Sequence, residues 1–224
     1  PVRLSAFFEN RSKAIHTKGK LPFQTIWTSA DPKVLQEGNA AKKIYIAPVS
    51  LAYLRAPKKA VTRQELRWGM QRQEQWMAWK LREEFAAAFK QSPRPCYQLV
   101  KTPGKDTLTL KLAITELNPT SPNGNAALTL MKVAVTPAAS LARWFTSGNM
   151  AIEGKVITPN GSRVFFQFAD NEADKLTFFN ARDFLPYGHA EQSMRDWATQ
   201  FEQMTRREAG LELKDSSAVT LKLH

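Results

Sequence analysis

The sequence has little of what builds small secreted scaffolds, metal sites or membrane spans. Its 224 residues contain one cysteine, Cys96, so no disulfide can form within the chain. No apolar run approaches the roughly 20 residues that a membrane-spanning helix requires. The three histidines, His16, His189 and His224, lie far apart, and no His-Glu-x-x-His, Cys-x-x-Cys or EF-hand pattern is present. We therefore expect no metal site and no cofactor.

Signatures of catalysis are also missing. There is neither a Gly-x-Ser-x-Gly elbow nor a P-loop. Cys96 and His189 could form a dyad, but a cysteine at the start of a strand is more often a small core residue. Glu83 and Glu84 are adjacent on a predicted helix, so they point different ways and are predicted to lie at the surface. We expect no catalytic residues. A pocket that places Cys96 or His189 beside a carboxylate would support the alternative hypothesis of an enzyme of unfamiliar type.

Positive charge is concentrated in the N-terminal part. The net charge is +12, and residues 1–60 carry 11 Lys/Arg against 3 Asp/Glu, whereas residues 151–224 carry 9 against 11. Such a surplus indicates either solubility or an anionic partner, namely lipid headgroups, cell-wall polymer or nucleic acid. Nucleic acid is disfavoured, because the aromatic residues at 44–46 and 164–168 fit burial at least as well as base stacking.

A long amphipathic helix is predicted over residues 61–89, the stretch around which the rest is organised. Thr62 and Glu65 have the spacing of a capping box, and Pro93 bars continuation of the helix. One apolar stripe follows three- and four-residue steps: Leu66, Met70, Met77, Leu81, Phe85, Ala88 and Phe89. Trp68, Trp76 and Trp79 lie beside this stripe and would widen the buried face or cover a neighbouring element.

Alternating or β-rich segments predict strands. They lie at residues 43–50, 96–100, 107–117, 128–135, 150–157 and 163–168. Alternation over 107–117 predicts one buried and one wetter face. A tight hairpin turn is predicted at residues 158–161, with Gly161 at positive φ. Asp170, Glu172 and Asp174 are predicted to mark a solvated loop.

A second amphipathic helix is predicted over residues 189–207, with an apolar stripe that contains Trp197 and Phe201. The order of elements predicts an α+β fold: a mainly antiparallel or mixed sheet with the long central helix and the C-terminal helix packed on one face. We divide the chain into a basic N-terminal arm (1–40) that packs a few aromatics onto the core, a single α+β domain (41–210), and a tail or edge strand (211–224).

Several short motifs resemble an uncharacterised family of bacterial envelope lipoproteins that carry a domain of unknown function. They are residues 43–49 (KIYIAPV), 81–85 (LREEF), 97–100 (YQLV), 102–110 (TPGKDTLTL), 113–117 (AITEL), 151–156 (AIEGKV) and 196–198 (DWA). The likeness covers residues 40–208 and leaves the basic arm unmatched. The turn at residues 159–161 also departs from the Gly-rich turn frequent in such families. The architecture is similar to transport-auxiliary and curli-export-type periplasmic lipoproteins.

This resemblance implies a location and a role but no catalytic residues. It implies a non-enzymatic binding or scaffold domain in the periplasm, anchored to the outer membrane. The chain begins at Pro1 without an initiator Met, so we expect a signal peptide and a lipidated cysteine upstream. A homo-oligomer or an envelope protein partner is expected. The alternatives are a soluble binder of nucleic acid or another polyanion, and an enzyme of unrecognised type.

Overall fold

The fold is a seven-stranded mixed sheet with α-helices packed on one face, so the predicted α+β class is confirmed. The computed structural model describes residues 2–17, 22–56, 64–118, 149–161, 163–171 and 188–206. The strands are β1 (Ile15–His16), β2 (Thr25–Thr28), β3 (Lys43–Ile46), β4 (Gln98–Val100), β5 (Thr107–Asn118), β6 (Asn149–Ile157) and β7 (Val164–Asn171). The helices are α1 (Pro32–Ala40), α2 (Gln64–Gln91) and α3 (Gly188–Thr205).

The sheet has the strand order β1-β2-β7-β6-β5-β3-β4. β3 is parallel to both β4 and β5, and the remaining pairs are antiparallel. The helix α2 connects the parallel strands β3 and β4, as a crossover between parallel neighbours requires. The hairpin between β6 and β7 has Gly161 at a φ of 76°, as predicted.

The predicted stripe of α2 forms the centre of the core. Met77, Leu81, Phe85 and Phe89 are buried, while Trp79 at the side of the stripe is exposed. The helix ends at Gln91, before Pro93, as predicted. The predicted cap at Thr62 and the side chains of Leu66, Trp68 and Met70 lie outside the described residues.

The C-terminal helix α3 packs beside α2 through the residues of its own stripe. Met194, Trp197, Ala198 and Phe201 are buried. The Phe201 ring lies 5.7 Å from that of Phe85, 6.0 Å from Phe89 and 5.1 Å from Phe168, measured between centroids. This aromatic cluster joins both helices to β7. It confirms that the two predicted helices lie together on one face of the sheet.

The segment predicted as an arm contributes to the sheet itself. β2 pairs with β7 through four residues, and β1 extends the same edge. Asp31 caps α1 by accepting a hydrogen bond from the Lys33 backbone N–H at 2.9 Å, with Pro32 at the first helical position. Phe23 and Ile26 reach the core, as predicted for arm aromatics and their neighbours. Strands from both sides of residue 40 therefore belong to one sheet.

Two predicted strand segments cannot be compared with the structure. Residues 128–135 and the tail 211–224 lie outside the described residues. The other predicted strands coincide with β3, β4, β5, β6 and β7.

Candidate functional site

The N-terminal strap, residues 2–10, covers part of the sheet face opposite the helices. Along β6, Ile152 points to the helices, so the alternate residues Ala151 and Glu153 point to the other face. Val2 and Phe8 of the strap pack there against Ala151 and Ala169. The strap thus buries this face at the centre of the sheet. On β5, the predicted wetter face holds at Thr109 and Lys111, whereas Ala113 and Thr115 on the same face are buried.

Two fully buried polar side chains hold the strap in place. The carboxylate of Glu153 accepts hydrogen bonds from the Ser5 backbone N–H at 2.6 Å and from Ser5 Oγ at 2.7 Å. Gln167 Oε1 accepts from the backbone N–H of Asn10 at 3.2 Å and from Asn10 Nδ2 at 2.9 Å. A carboxylate removed from water is costly unless such donors satisfy it, so these bonds set the position of the strap.

Within the described residues the strap ends beside Lys155, and beyond that residue the second face carries exposed side chains. Lys155 Nζ pairs with Glu9 and lies 4.5 Å from the centroid of the Phe7 ring. Next to it, Lys111 of β5 faces Lys155 across the strand pair. Lys111 is exposed, unlike its partner on β6.

We call the uncovered part the open half. It consists of outward-facing residues of three strands: Lys43 and Tyr45 of β3, Gln98 and Val100 of β4, and Thr109 and Lys111 of β5. Tyr45 is the register partner of both Val100 and Thr109, so these three form a row across the strands. Lys43 and Lys111 stand about 7 Å before and after this row, since two strand residues span that distance. Tyr45 is half-buried, and both lysines are exposed.

Three further lysines flank the open half. The backbone N–H groups of Lys42 and Lys43 both donate to the Asp106 carbonyl, at 3.0 and 3.1 Å. These bonds join the start of β3 to the turn before β5, which carries Lys105, and Lys101 follows β4 directly. Lys42, Lys101 and Lys105 are exposed. Within the described residues, none of the five lysines at 42, 43, 101, 105 and 111 forms an ion pair.

The residues weighed for catalysis are described only in part. Cys96 is half-buried against the core, as predicted for a small core residue. His16 is exposed on β1, with Nδ1 3.0 Å from Thr25 Oγ1. The side chain of His189 and the whole of His224 lie outside the described residues, so the dyad stays untested. In the part of the chain that the structure describes, no group of three His, Cys, Asp or Glu side chains is placed to hold a metal ion.

Two acidic residues differ from their predicted surroundings. Asp170 belongs to β7, is fully buried, and accepts a hydrogen bond from Trp197 Nε1 at 2.7 Å. The predicted loop starts too early, because β7 continues past Phe168 along β6. Glu83 is exposed as predicted, but Glu84 is buried between Lys80 at 2.9 Å and Arg195 at 3.6 Å. A salt bridge between α2 and α3 therefore replaces the predicted surface position.

One carboxyl on α2 has a perturbed pKa. Burial raises the pKa of Glu74 above its ordinary value. None of the described helices is long and apolar enough to cross a membrane.

Most of the chain matches one known protein family. Residues 27–201 match the family described as protein of unknown function DUF3313. The chain belongs to the DUF3313 family. The expected domain of unknown function is thereby confirmed. The match begins within the segment predicted as an arm, in agreement with the pairing of β2 in the sheet.

The DUF3313 chain is also similar to solved structures of low sequence identity. No curated protein matches it in sequence. Two solved structures of PelC dodecamers from Paraburkholderia phytofirmans, one of them a point variant, are similar over 79% of this chain. The likeness covers 98% of the variant PelC chain and 96% of the other, with 9% identity and a TM-score of 0.38 in both cases. At that level it says nothing about function.

Proposed function

We propose that this DUF3313 domain is a non-enzymatic binding or scaffold module of the bacterial cell envelope. In this proposal it faces the periplasm and is tethered to the outer membrane by a lipid attached upstream of Pro1. The motifs that resemble envelope lipoproteins support the location. The open half supports the role, because it presents exposed lysines that form no ion pair within the described residues, on a sheet that the core holds fixed.

The structural partners of three buried carboxylates also favour binding over catalysis. Glu153 is bound to Ser5, Asp170 to Trp197, and Glu84 to Lys80 and Arg195. Each of these buried carboxylates stabilises a contact between segments of the fold. The side chains of Lys43 and Lys111, by contrast, are exposed and free of ion pairs within the described residues. A partner of opposite charge is what such a surface fits.

Expression of the full-length gene in its own host tests the proposed location. We expect labelled palmitate to be incorporated, and cell fractionation to place the protein with the outer membrane. Replacing the expected lipidated cysteine by serine serves as the control, and it should abolish the label. An unlabelled protein recovered from the cytosol, with no hydrophobic segment and cysteine encoded upstream of Pro1, would contradict the proposal.

The same lysines favour a second candidate, a soluble polyanion-binding protein. This candidate predicts binding to a random nucleic acid duplex that weakens steeply with salt, together with a cytosolic location. Binding that does not change with salt, or none at low salt, would eliminate it.

A further inference from the structure

We infer that the open half and its flanking lysines form a docking surface for the anionic headgroups of a membrane. The inference rests on the proposed function, because it takes the membrane that carries the tether as the partner of this surface. It assigns five of the 32 basic residues to a definite place on the fold.

Charge provides the first argument. Lys42 and Lys43 come from the start of β3, Lys101 and Lys105 from the turn between β4 and β5, and Lys111 from β5. The pairing of β3, β4 and β5 brings these segments, which span 70 residues of sequence, to the same end of the strand order, with Lys43 and Lys111 on the open face itself. Each lysine held near an anionic lipid surface strengthens binding by about fivefold. A lipid tether combined with such a basic patch gives stable attachment where one acyl chain alone does not.

Several basic side chains elsewhere are already neutralised. Arg55 pairs with Glu116 at 3.2 Å, and Arg206 pairs with Glu202 at 2.8 Å. Arg163 contacts two carboxylates, those of Asp31 and Glu37. Near the open half, the exposed acidic residue Asp106 is outnumbered by the five lysines. This side of the domain therefore attracts anions more strongly than the surfaces that carry those ion pairs.

The shape of the surface provides the second argument. The helices contact the other face of β3 and β5 through Ile44 and Leu110, and the strap ends at Lys155. In the described part of the chain the open half is thus a broad sheet surface rather than a buried pocket. It carries one aromatic ring, Tyr45, whose apolar body and polar tip suit a lipid–water interface. Proteins that bind single-stranded nucleic acid stack successive bases on several rings, so a single ring favours lipid.

Vesicle flotation of the 224-residue chain tests the inference. The probes are phosphatidylcholine vesicles with and without about one-third phosphatidylglycerol, at two salt concentrations. The open-half variant combines Lys43→Gln, Lys101→Gln, Lys105→Gln and Lys111→Gln. The matched control removes the same charge elsewhere, by Arg11→Gln, Lys13→Gln, Lys33→Gln and Arg72→Gln. Circular dichroism and thermal unfolding verify that both variants are folded.

We expect salt-sensitive binding to the anionic vesicles only, weakened at least tenfold in the open-half variant and within about twofold in the control. Equal weakening in both variants would overturn the inference, because the attraction would then be diffuse. Absence of vesicle binding, or binding of an oligonucleotide instead through the same lysines, would also overturn it. If flotation fails while fractionation places the protein in the envelope, the inference falls and the proposed function stands. If flotation succeeds but fractionation finds the protein in the cytosol, the lipid-binding surface stands and the proposed function falls.

Discussion

Individual buried polar residues form structural contacts in this fold that their sequence context does not predict. Asp170 follows an apolar strand and precedes further acidic residues, which is the pattern of a solvated loop. In the structure it satisfies the indole N–H of Trp197, a group that needs an acceptor when buried. The presence of a tryptophan in the stripe of α3 was visible in the sequence. Its partner was not, because 27 residues separate the two.

Glu153 provides the sharpest test at the residue scale. Replacing it by Gln exchanges one of the two acceptor oxygens for a donor, which leaves a donor of Ser5 without its partner. We expect Glu153→Gln to lower the free energy of unfolding by about 1–3 kcal/mol in urea titrations. The exposed Glu83→Gln is the control and should change it by less than about 0.5 kcal/mol. Equal effects in the two variants would show that the strap contact contributes nothing.

Glu74 provides a test of pH dependence. Burial raises the pKa of this carboxyl in the folded state, so the charged form is disfavoured there relative to the unfolded chain. The stability that the protonated Glu74 contributes to the folded state is therefore fully present below the unfolded pKa and is lost as pH rises through the folded pKa. We expect Glu74→Gln to be more stable than the parent chain at neutral pH, with the gain vanishing in acid. Thermal unfolding over this pH range would contradict the account if the difference were constant.

At the scale of elements, length decides how much of the fold is visible in the sequence. α2, α3 and β5 repeat their periodic pattern over many residues, and their predicted bounds agree with the structure within a few residues. β1 and β2 have two and four residues, too few for a pattern to emerge. β2 exists because β7 supplies its pairing partner, a contact more than 130 residues away in sequence, and β1 pairs with β2 in turn. The sequence also does not predict the strap, because its contacts with β6 and β7 join residues far apart in sequence.

Removal of residues 1–10 tests the role of the strap. We expect the truncated chain to keep the helical signal of α2 and α3, because their core lies on the other face. Amide exchange should accelerate in β6 and β7, since Ala151, Glu153 and Ala169 lose their cover. The exposed Arg3→Gln is the matched control and should leave exchange unchanged. Native protection of β6 after truncation would mean that the strap adds nothing to the sheet.

At the scale of the molecule, buried carboxylates stabilise contacts in the interior, whereas exposed lysines on one part of the surface form no ion pair within the described residues. Among the described residues, the helices cover one face of the sheet, the strap covers part of the other, and the open half carries exposed lysines. The sequence reveals a surplus of positive charge but assigns it to an arm. Folding gathers lysines from three segments instead, a grouping set by the register of β3, β4 and β5.

Hydrogen exchange of the 224-residue chain, with and without anionic vesicles, tests the central claim most directly. The account predicts added protection in residues 42–46 and 98–111, and no change in α2 or α3. Protection confined to the helices, or the same protection with neutral vesicles, would contradict it.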